Sequence, residues 1–298
     1  MKKSMVIGTR GSALALTQTN VVKEHIQKYC PDLEIEIKII KTTGDKILDK
    51  SLSKIGGKGL FVLEIESALR NGEIDLAVHS MKDVPNVVPD EFAIVAVLDR
   101  EDPRDVLISK DGLLLSELPI GAAVGTSSLR RVAQIRNLRP DLNFKPLRGN
   151  IDTRIKKMMN GEVDAIILAA AGLKRMGWQD KITQYLDVND CIPSVGQGAL
   201  CIEFRKADLQ LRDILSNIVN EKDFKCVLSE RAFLKEMNGD CSIAIGAHAV
   251  IKDASIFLEG FVCSKDGTKL FADREAGSLS QYEEIGMKLG KKLKVYRE

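Results

Sequence analysis

Short apolar runs rich in β-branched residues alternate with helical patterns along most of this chain, and that rhythm limits what it can fold into. SMVIGT (4–9) reads as a strand and Ser12 to Tyr29 as a helix. LEIEIKII sets Ile35, Ile37 and Ile39 against Glu34, Glu36 and Lys38, the period-two pattern of a half-buried strand. GLFVLEIESALR is helical, DLAVH is a strand, and FAIVAVL is another. A β-α-β succession of this kind implies a mainly parallel sheet with helices on its faces.

The pattern breaks at Asp99, where DREDPRD is charged and holds Pro103, as a hinge would. It then restarts. GAAVGT, NFKPL and DAIILA read as strands, and SSLRRVAQIRNLR, IDTRIKKMMN and AAGLKRMG as helices. IPSVGQGAL is expected to carry the chain back so that ALCIEF pairs in the first lobe. From about Asn220 a long amphipathic helix, three strands and a final helix suggest a small α+β unit with antiparallel strands. At 298 residues the chain exceeds the usual size of one core. The expected fold is α/β: two similar doubly wound lobes with hinge crossings, plus the α+β domain. Their expected ranges are 1–98 with 199–217, 99–198, and 218–298. The likeness of the lobes is one of pattern, with no sequence repeat behind it.

Bulk properties exclude several classes. A net charge of +2 does not by itself suggest nucleic-acid binding. In MKKSMVIGTRGSALALTQ the apolar run is broken by Arg10, unlike a signal peptide. The longest apolar run, AIILAAAGL, is far too short to cross a bilayer. Six cysteines with no C-x-x-C pair, and only three histidines, argue against a zinc site. Scattered thiols and a large core fit a reducing cytoplasm. No metal, membrane or nucleic-acid partner is expected.

Ligands of open α/β sheets sit at the carboxyl ends of the parallel strands, and the loops expected there are rich in cations. In order they carry Arg10-Gly11-Ser12, Lys54 and Lys58 in KIGGKG, and HSMKD with Lys82 and Asp83. TSSLRR (Thr126, Ser127, Ser128, Arg130, Arg131), RGNIDTR (Arg148, Asn150, Arg154) and GLKR (Gly172, Arg175) follow. Glycine lets the backbone approach a ligand, and arginine grips a carboxylate or phosphate through paired hydrogen bonds. In TSSLRR a serine can cap the helix, leaving the positive dipole end exposed. Cations in that first turn are unfavourable for the helix, so two there make sense if an anion occupies the site. Each loop also has a plain structural reading: solvated charges for Arg130, Arg131, Lys54 and Lys58, and ion pairs with nearby aspartates for Arg10, Arg148, Arg154 and Arg175. Several cations converging on one place would repel unless a polyanion offsets them. Asp83 stands apart as a carboxylate that could steady a developing positive charge, or merely cap a short helix. His79 reads as a hydrogen-bonded structural histidine. No G-x-S-x-G, G-x-x-x-x-G-K-[ST] or H-E-x-x-H is present.

At these residues the sequence closely resembles the porphobilinogen deaminase family. The match runs through GTRGSALALTQ, KIGGKGLFV, AVHSMKDVP, REDPRD, VGTSSLRR, LRGNIDTR, AIILAAAGLKR, PSVGQGA and NGDCSIAIGAHA, in order and without large gaps. The resemblance implies a transferase that deaminates four porphobilinogen molecules and joins them head to tail into linear hydroxymethylbilane. It implies a covalently bound dipyrromethane primer on a thioether to Cys241. Each pyrrole bears an acetate and a propionate, which accounts for a cation-lined site. By the same resemblance Asp83 would bond pyrrole N–H groups and stabilise the cationic azafulvene formed as ammonia leaves. Cofactor binding falls to Ser12, Lys82, Thr126, Ser127, Ser128, Arg130, Arg131, Arg148, Asn150 and Arg154. Substrate binding falls to Arg10, Gln18, Lys54, Lys58, Arg148, Arg154, Gly172, Arg175 and Gln197. The resemblance also implies a monomer that passes its product to uroporphyrinogen-III synthase.

Thiol chemistry alone would not single out Cys241, since Asp240 beside it should raise its pKa. One departure is Ala244, where family members often have proline, and it touches loop stiffness rather than chemistry. Two other readings stay open at this level. A two-lobed solute-binding or regulatory ligand-sensing module shares this hinged, periplasmic-binding-protein-like plan but needs neither Asp83 nor Cys241. An enzyme acting on phosphorylated sugars would explain TSSLRR alone.

Overall fold

In this computed structural model the structure describes residues 3–43, 62–239, 243–264, 267 and 269–296. The chain opens with β1 (Ser4–Thr9), α1 (Ala13–Tyr29), β2 (Glu34–Ile39), α2 (Leu63–Arg70), β3 (Leu76–Ser80) and β4 (Phe92–Val97). Ser12 caps α1, its hydroxyl accepting from Ala15 N at 3.3 Å. Thr19, Val22 and Ile26 recur at helical spacing and form the buried face of that helix. β2 keeps its alternation at Glu34, Ile35 and Glu36, but Ile39 is exposed because β2 is an edge strand.

After residue 104 follow β5 (Asp105–Ser109), β6 (Ala123–Gly125), α3 (Leu129–Leu138), β7 (Asn143–Lys145), α4 (Ile151–Met159), β8 (Ala165–Ala169), α5 (Ala170–Arg175) and β9 (Gln184–Tyr185). Next come β10 (Leu200–Arg205), α6 (Leu209–Ser216) and α7 (Glu221–Glu236). The last elements are β11 (Ile245–Lys252), β12 (Ser255–Cys263), β13 (Leu270–Ser278) and α8 (Tyr282–Lys294).

Cα packing groups these elements into two units, residues 1–100 with 199–224 and residues 101–198 with 225–298. The first holds a five-stranded sheet of order β2-β1-β3-β10-β4. β1 runs parallel to β2 and β3, whereas β10 runs antiparallel to both β3 and β4. Its core joins Met5, Ile7, Val22, Ile26, Leu76, Val78, Ile202 and Phe204. ALCIEF therefore pairs where the sequence placed it.

The second unit holds two sheets. One has the order β7-β6-β8-β5-β9, with β5 antiparallel to β8 and β9 and the β6 pairings parallel. The other is the antiparallel β11-β12-β13, packed through Ala247, Leu258 and Val262 against Phe233 of α7 and Leu289 of α8. The expected mainly parallel sheets are thus mixed. In each five-stranded sheet the strand entered directly from a crossing segment, β10 in the first and β5 in the second, runs against its neighbours. The two sheets share one order once that strand is set aside as the return strand. β5 is hidden in the sequence because the charged DREDPRD runs directly into it.

Candidate active site

In the first unit a pocket opens at the ends of β1 and β3, lined among others by Arg10, Ser12, Gln18, His79, Ser80 and Asp83. Ser12 reaches it because it is the cap of α1. Gln18 is buried on α1 and its Nε2 donates to Ser80 Oγ at 2.9 Å, which fixes the amide at the strand end. β3 then passes into a single 3-10 turn, Met81–Asp83, with Met81 in the core, Lys82 half-buried and Asp83 exposed. The anchored methionine sets the direction in which the next two charged side chains leave the sheet.

Behind the pocket His79 is buried and its Nε2 lies 3.1 Å from Glu203 Oε2 of β10, the structural role read from its place inside the strand. Glu66 of α2 is also buried near this pair. Burial pushes its carboxyl above the usual glutamate range and Glu203 adds to that, while Arg70 and His79 pull the other way.

In the second unit the loop after β6 is organised by its own hydroxyls. Thr126 Oγ1 accepts from Ser128 N at 3.2 Å, Ser127 Oγ donates to Leu147 O at 3.1 Å, and Ser128 caps α3. Arg130 and Arg131 both turn inward and are buried. Arg130 Nη1 lies 2.6 Å from Asp105 Oδ2 and donates to Ile192 O at 2.7 Å. Arg131 Nη2 and Nε reach Asp105 Oδ1 at 2.7 and 3.1 Å, and its Nη1 donates to Ile167 O at 2.8 Å. Gln197 Nε2 completes the shell, donating to Asp105 Oδ1 at 2.9 Å and to Pro103 O at 2.7 Å.

The arginine pair at the helix start was expected to await an external anion or to be solvated. They are not solvated: their head groups are buried on an anion of the protein's own, Asp105, which has no exposed surface. Burial would raise that carboxyl, but the two guanidinium charges outweigh it and hold it well below the usual aspartate range. Cys191 Sγ sits 3.3 Å from Asp105 Oδ2, and burial next to that carboxylate pushes the thiol up to about 12, so it stays neutral. Two guanidiniums against one carboxylate leave the cluster one net positive charge.

The remaining expected residues stand around this cluster within the same unit. Arg154 Nε donates to Gly149 O at 2.8 Å, and Arg148 is half-buried beside it in sequence. Gly149 has φ +114°, and a Cβ there would lie 2.6 Å from Thr153 Cγ2, so no other residue fits this turn without a shift. Asn150 starts α4 without a side-chain capping bond. Gly172 is buried in α5. Arg175 Nη2 donates to Gly198 O at 2.6 Å. Burial lowers Arg175 to about 10, with Glu101 only partly opposing. Cys241, Lys54 and Lys58 lie outside the described residues.

The structure therefore collects Arg10, Ser12, Gln18 and Asp83 at one pocket, and it ties Arg130, Arg131 and Gln197 to one carboxylate. Sequence reasoning missed Asp105, Gln134 and Glu203. The usable signal for Asp105 was an acid opening the apolar run VLIS. Gln134 exchanges hydrogen bonds with the backbone of Ile192, accepting from its N at 2.8 Å. Among the described residues no group of three or more His, Cys, Asp or Glu could hold a metal ion, and no helix is long and apolar enough to cross a membrane.

Residues 5–213 match the family model "Porphobilinogen deaminase, dipyromethane cofactor binding domain", and residues 224–295 match "Porphobilinogen deaminase, C-terminal domain". A porphobilinogen deaminase from Shouchella clausii is 53% identical over 286 residues, covering 95% of this chain and 91% of that one. One from Syntrophobacter fumaroxidans is 50% identical, covering 96% and 93%. Among solved structures, the second substrate binding domain of a putative amino acid ABC transporter from Streptococcus pneumoniae is 16% identical. It covers 72% of this chain and 91% of that chain, with a TM-score of 0.47.

Proposed function

The chain belongs to the porphobilinogen deaminase family, and from that premise we propose that Asp83 is its catalytic carboxylate and that the arginine-bearing loops hold its polyanionic cofactor and substrate. Its reaction is the family's: four porphobilinogen molecules lose ammonia and join head to tail into hydroxymethylbilane on a dipyrromethane primer. The observation that carries the assignment is Asp83 at the rim of one pocket with Arg10, Ser12 and Gln18.

The residues present fit a ligand with many carboxylates. The Arg130–Arg131–Asp105 cluster keeps a net positive charge, and Arg175 is a cation destabilised by burial. An anionic ligand would relieve both. The dipyrromethane, on a thioether to Cys241, supplies the carboxylates to be gripped and the free pyrrole carbon that extends the chain. Ser12, Lys82, Thr126, Ser127, Ser128, Arg130, Arg131, Arg148, Asn150 and Arg154 hold it. Arg10, Gln18, Lys54, Lys58, Arg148, Arg154, Gly172, Arg175 and Gln197 orient the incoming substrate. Asp83 accepts from the substrate pyrrole N–H and stabilises the positive charge that builds as ammonia departs, an electrostatic role that needs no proton transfer.

The chain is organised as three domains, 1–98 with 199–217, 99–198 and 218–298, a division supported by its three sheets. It works as a monomer in the cytoplasm, and its product passes to uroporphyrinogen-III synthase. Intact-protein mass tests the site. The purified chain is expected to carry a covalent excess equal to a dipyrromethane, absent from Cys241→Ser. An unmodified wild-type mass together with no consumption of porphobilinogen would remove the assignment.

A further inference from the structure

Glu230 of α7 is a carboxylate with no exposed surface and no part in the chemistry above. Its Oε2 accepts from Gly196 N at 2.7 Å and its Oε1 from Ala249 N of β11 at 2.8 Å. His248 Nδ1, buried and without a hydrogen-bond partner, stands 3.6 Å from Oε1. Two backbone donors converging from different segments call for a side chain that only accepts. A carboxylate meets that need, whereas a glutamine would turn an NH2 group toward one of them.

The segment that Glu230 grips is the crossing at 193–198. β11 grips the same crossing: Ala247 N donates to Pro193 O at 3.1 Å. A Cβ on Gly246 would lie 2.6 Å from that oxygen, so the strand can come no closer. On its other side the crossing holds polar groups of the site. Gln197 donates to Asp105, and Gly198 O receives Arg175 Nη2. Within this one unit a continuous set of hydrogen bonds therefore runs from α7 and β11 through six residues to Asp105, Arg130, Arg131 and Arg175. α7 and β11 are also the elements on either side of Cys241 in sequence.

We infer that Glu230 is a positioning residue that sets the register between α7 and β11, which flank Cys241 in sequence, and two groups tied to the crossing, Gln197 on Asp105 and the Arg175 guanidinium. The inference rests on the reading of Gln197 and Arg175 given above. Losing one acceptor lets the crossing slide, Gln197 loosens from Asp105, and the Arg175 guanidinium then misses the substrate carboxylates although the fold persists.

The test compares Glu230→Gln, Gln197→Ala and the double variant, each loaded with cofactor, by thermal melting and by KM and kcat for porphobilinogen. Coupled neighbours are expected to show interaction terms, so Glu230→Gln should raise KM roughly five- to tenfold with kcat within about twofold. Adding Gln197→Ala should raise it little further. A wild-type KM in Glu230→Gln, or KM effects that simply multiply in the double variant, overturns the inference and leaves a purely structural carboxylate. If Glu230→Gln does not fold, Glu230→Asp, one methylene too short to hold Gly196 N and Ala249 N together, carries the same comparison. Failure of both to fold likewise overturns it. Arg175→Gln separates the two ideas: a normal KM there sinks the site reading itself, whatever Glu230 does.

Discussion

Asp83, just past the end of β3, and Asp105, at the start of β5, are both aspartates beside strand ends, yet the fold treats them in opposite ways. Asp105 has no exposed surface and receives bonds from Arg130, Arg131 and Gln197. Asp83 is exposed on one 3-10 turn, at the rim of a pocket with Arg10 and Gln18. A carboxylate sealed by two guanidiniums organises its surroundings but has no accepting lone pair left for a ligand. One exposed at a pocket rim stays open to whatever enters that pocket. The two return strands extend the contrast. β5 brings Asp105 against two guanidiniums, whereas β10 brings Glu203 against a single imidazole.

The largest expected effect separates the two aspartates. Asp83→Asn should melt within a degree or two of wild type while turnover falls by about 10²–10³-fold. Retained turnover would remove Asp83 from catalysis. Asp105→Asn should do the reverse, costing about 3–5 kcal/mol of stability by stranding two buried guanidiniums. Denaturant titration measures that cost, and near-wild-type stability would break the comparison.

Glu203→Gln is the matched change on the other return strand. Because an imidazole nitrogen can hydrogen-bond an amide as well as a carboxylate, the loss should be only about 1 kcal/mol. A loss as large as that of Asp105→Asn would mean the two strands use the same device.

Arg175→Met removes a desolvated cation whose pKa burial has drawn to about 10, and Gly198 O keeps a donor in Glu101 N at 3.2 Å. The cofactor-free protein should gain about 1 kcal/mol, a stability–function trade-off. The same change should raise KM roughly tenfold through a lost charged hydrogen bond. Lower stability together with an unchanged KM would contradict both.

The smallest effect is in pH. Asp105 is lowered, so its stabilisation is complete at neutral pH and is lost only as pH falls through a value well below 3.8. Glu66 is raised above 4.5, so its charge costs stability at neutral pH. That cost disappears as pH falls through the raised value toward 4.5. Glu66→Gln should therefore stabilise the protein near neutrality and give no advantage near 4.5, a difference that melting at two pH values would detect.

Much of this was legible in the sequence. Alternation at Glu34–Ile37 and helical spacing at Thr19, Val22 and Ile26 announced their elements, because one face of each is buried and the other wet. The loops carrying Arg10, Asp83 and Thr126 to Arg131 stood out by charge beside glycine and serine. What stayed hidden depends on partners distant in sequence. Asp105 looked like one more charge in a hinge, since nothing local says that Arg131, 26 residues on, will bury it. The antiparallel return of β5 and β10 is likewise a matter of which strand fills a gap. Cys241 carries no chemical mark of its own, and only the family resemblance singled it out.

The placement of β10 between β3 and β4 also governs how this protein is made. The first sheet cannot be closed by residues 1–100 alone, because the strand joining its two parts is Leu200–Arg205. At translation rates of about 5–20 residues per second, β4 waits on the order of ten seconds for that neighbour. Through that interval the nascent amino-terminal segment presents two unpaired strand edges while the second lobe is still being synthesised. A chain ending before residue 200 would lack the strand that joins the two parts of this sheet.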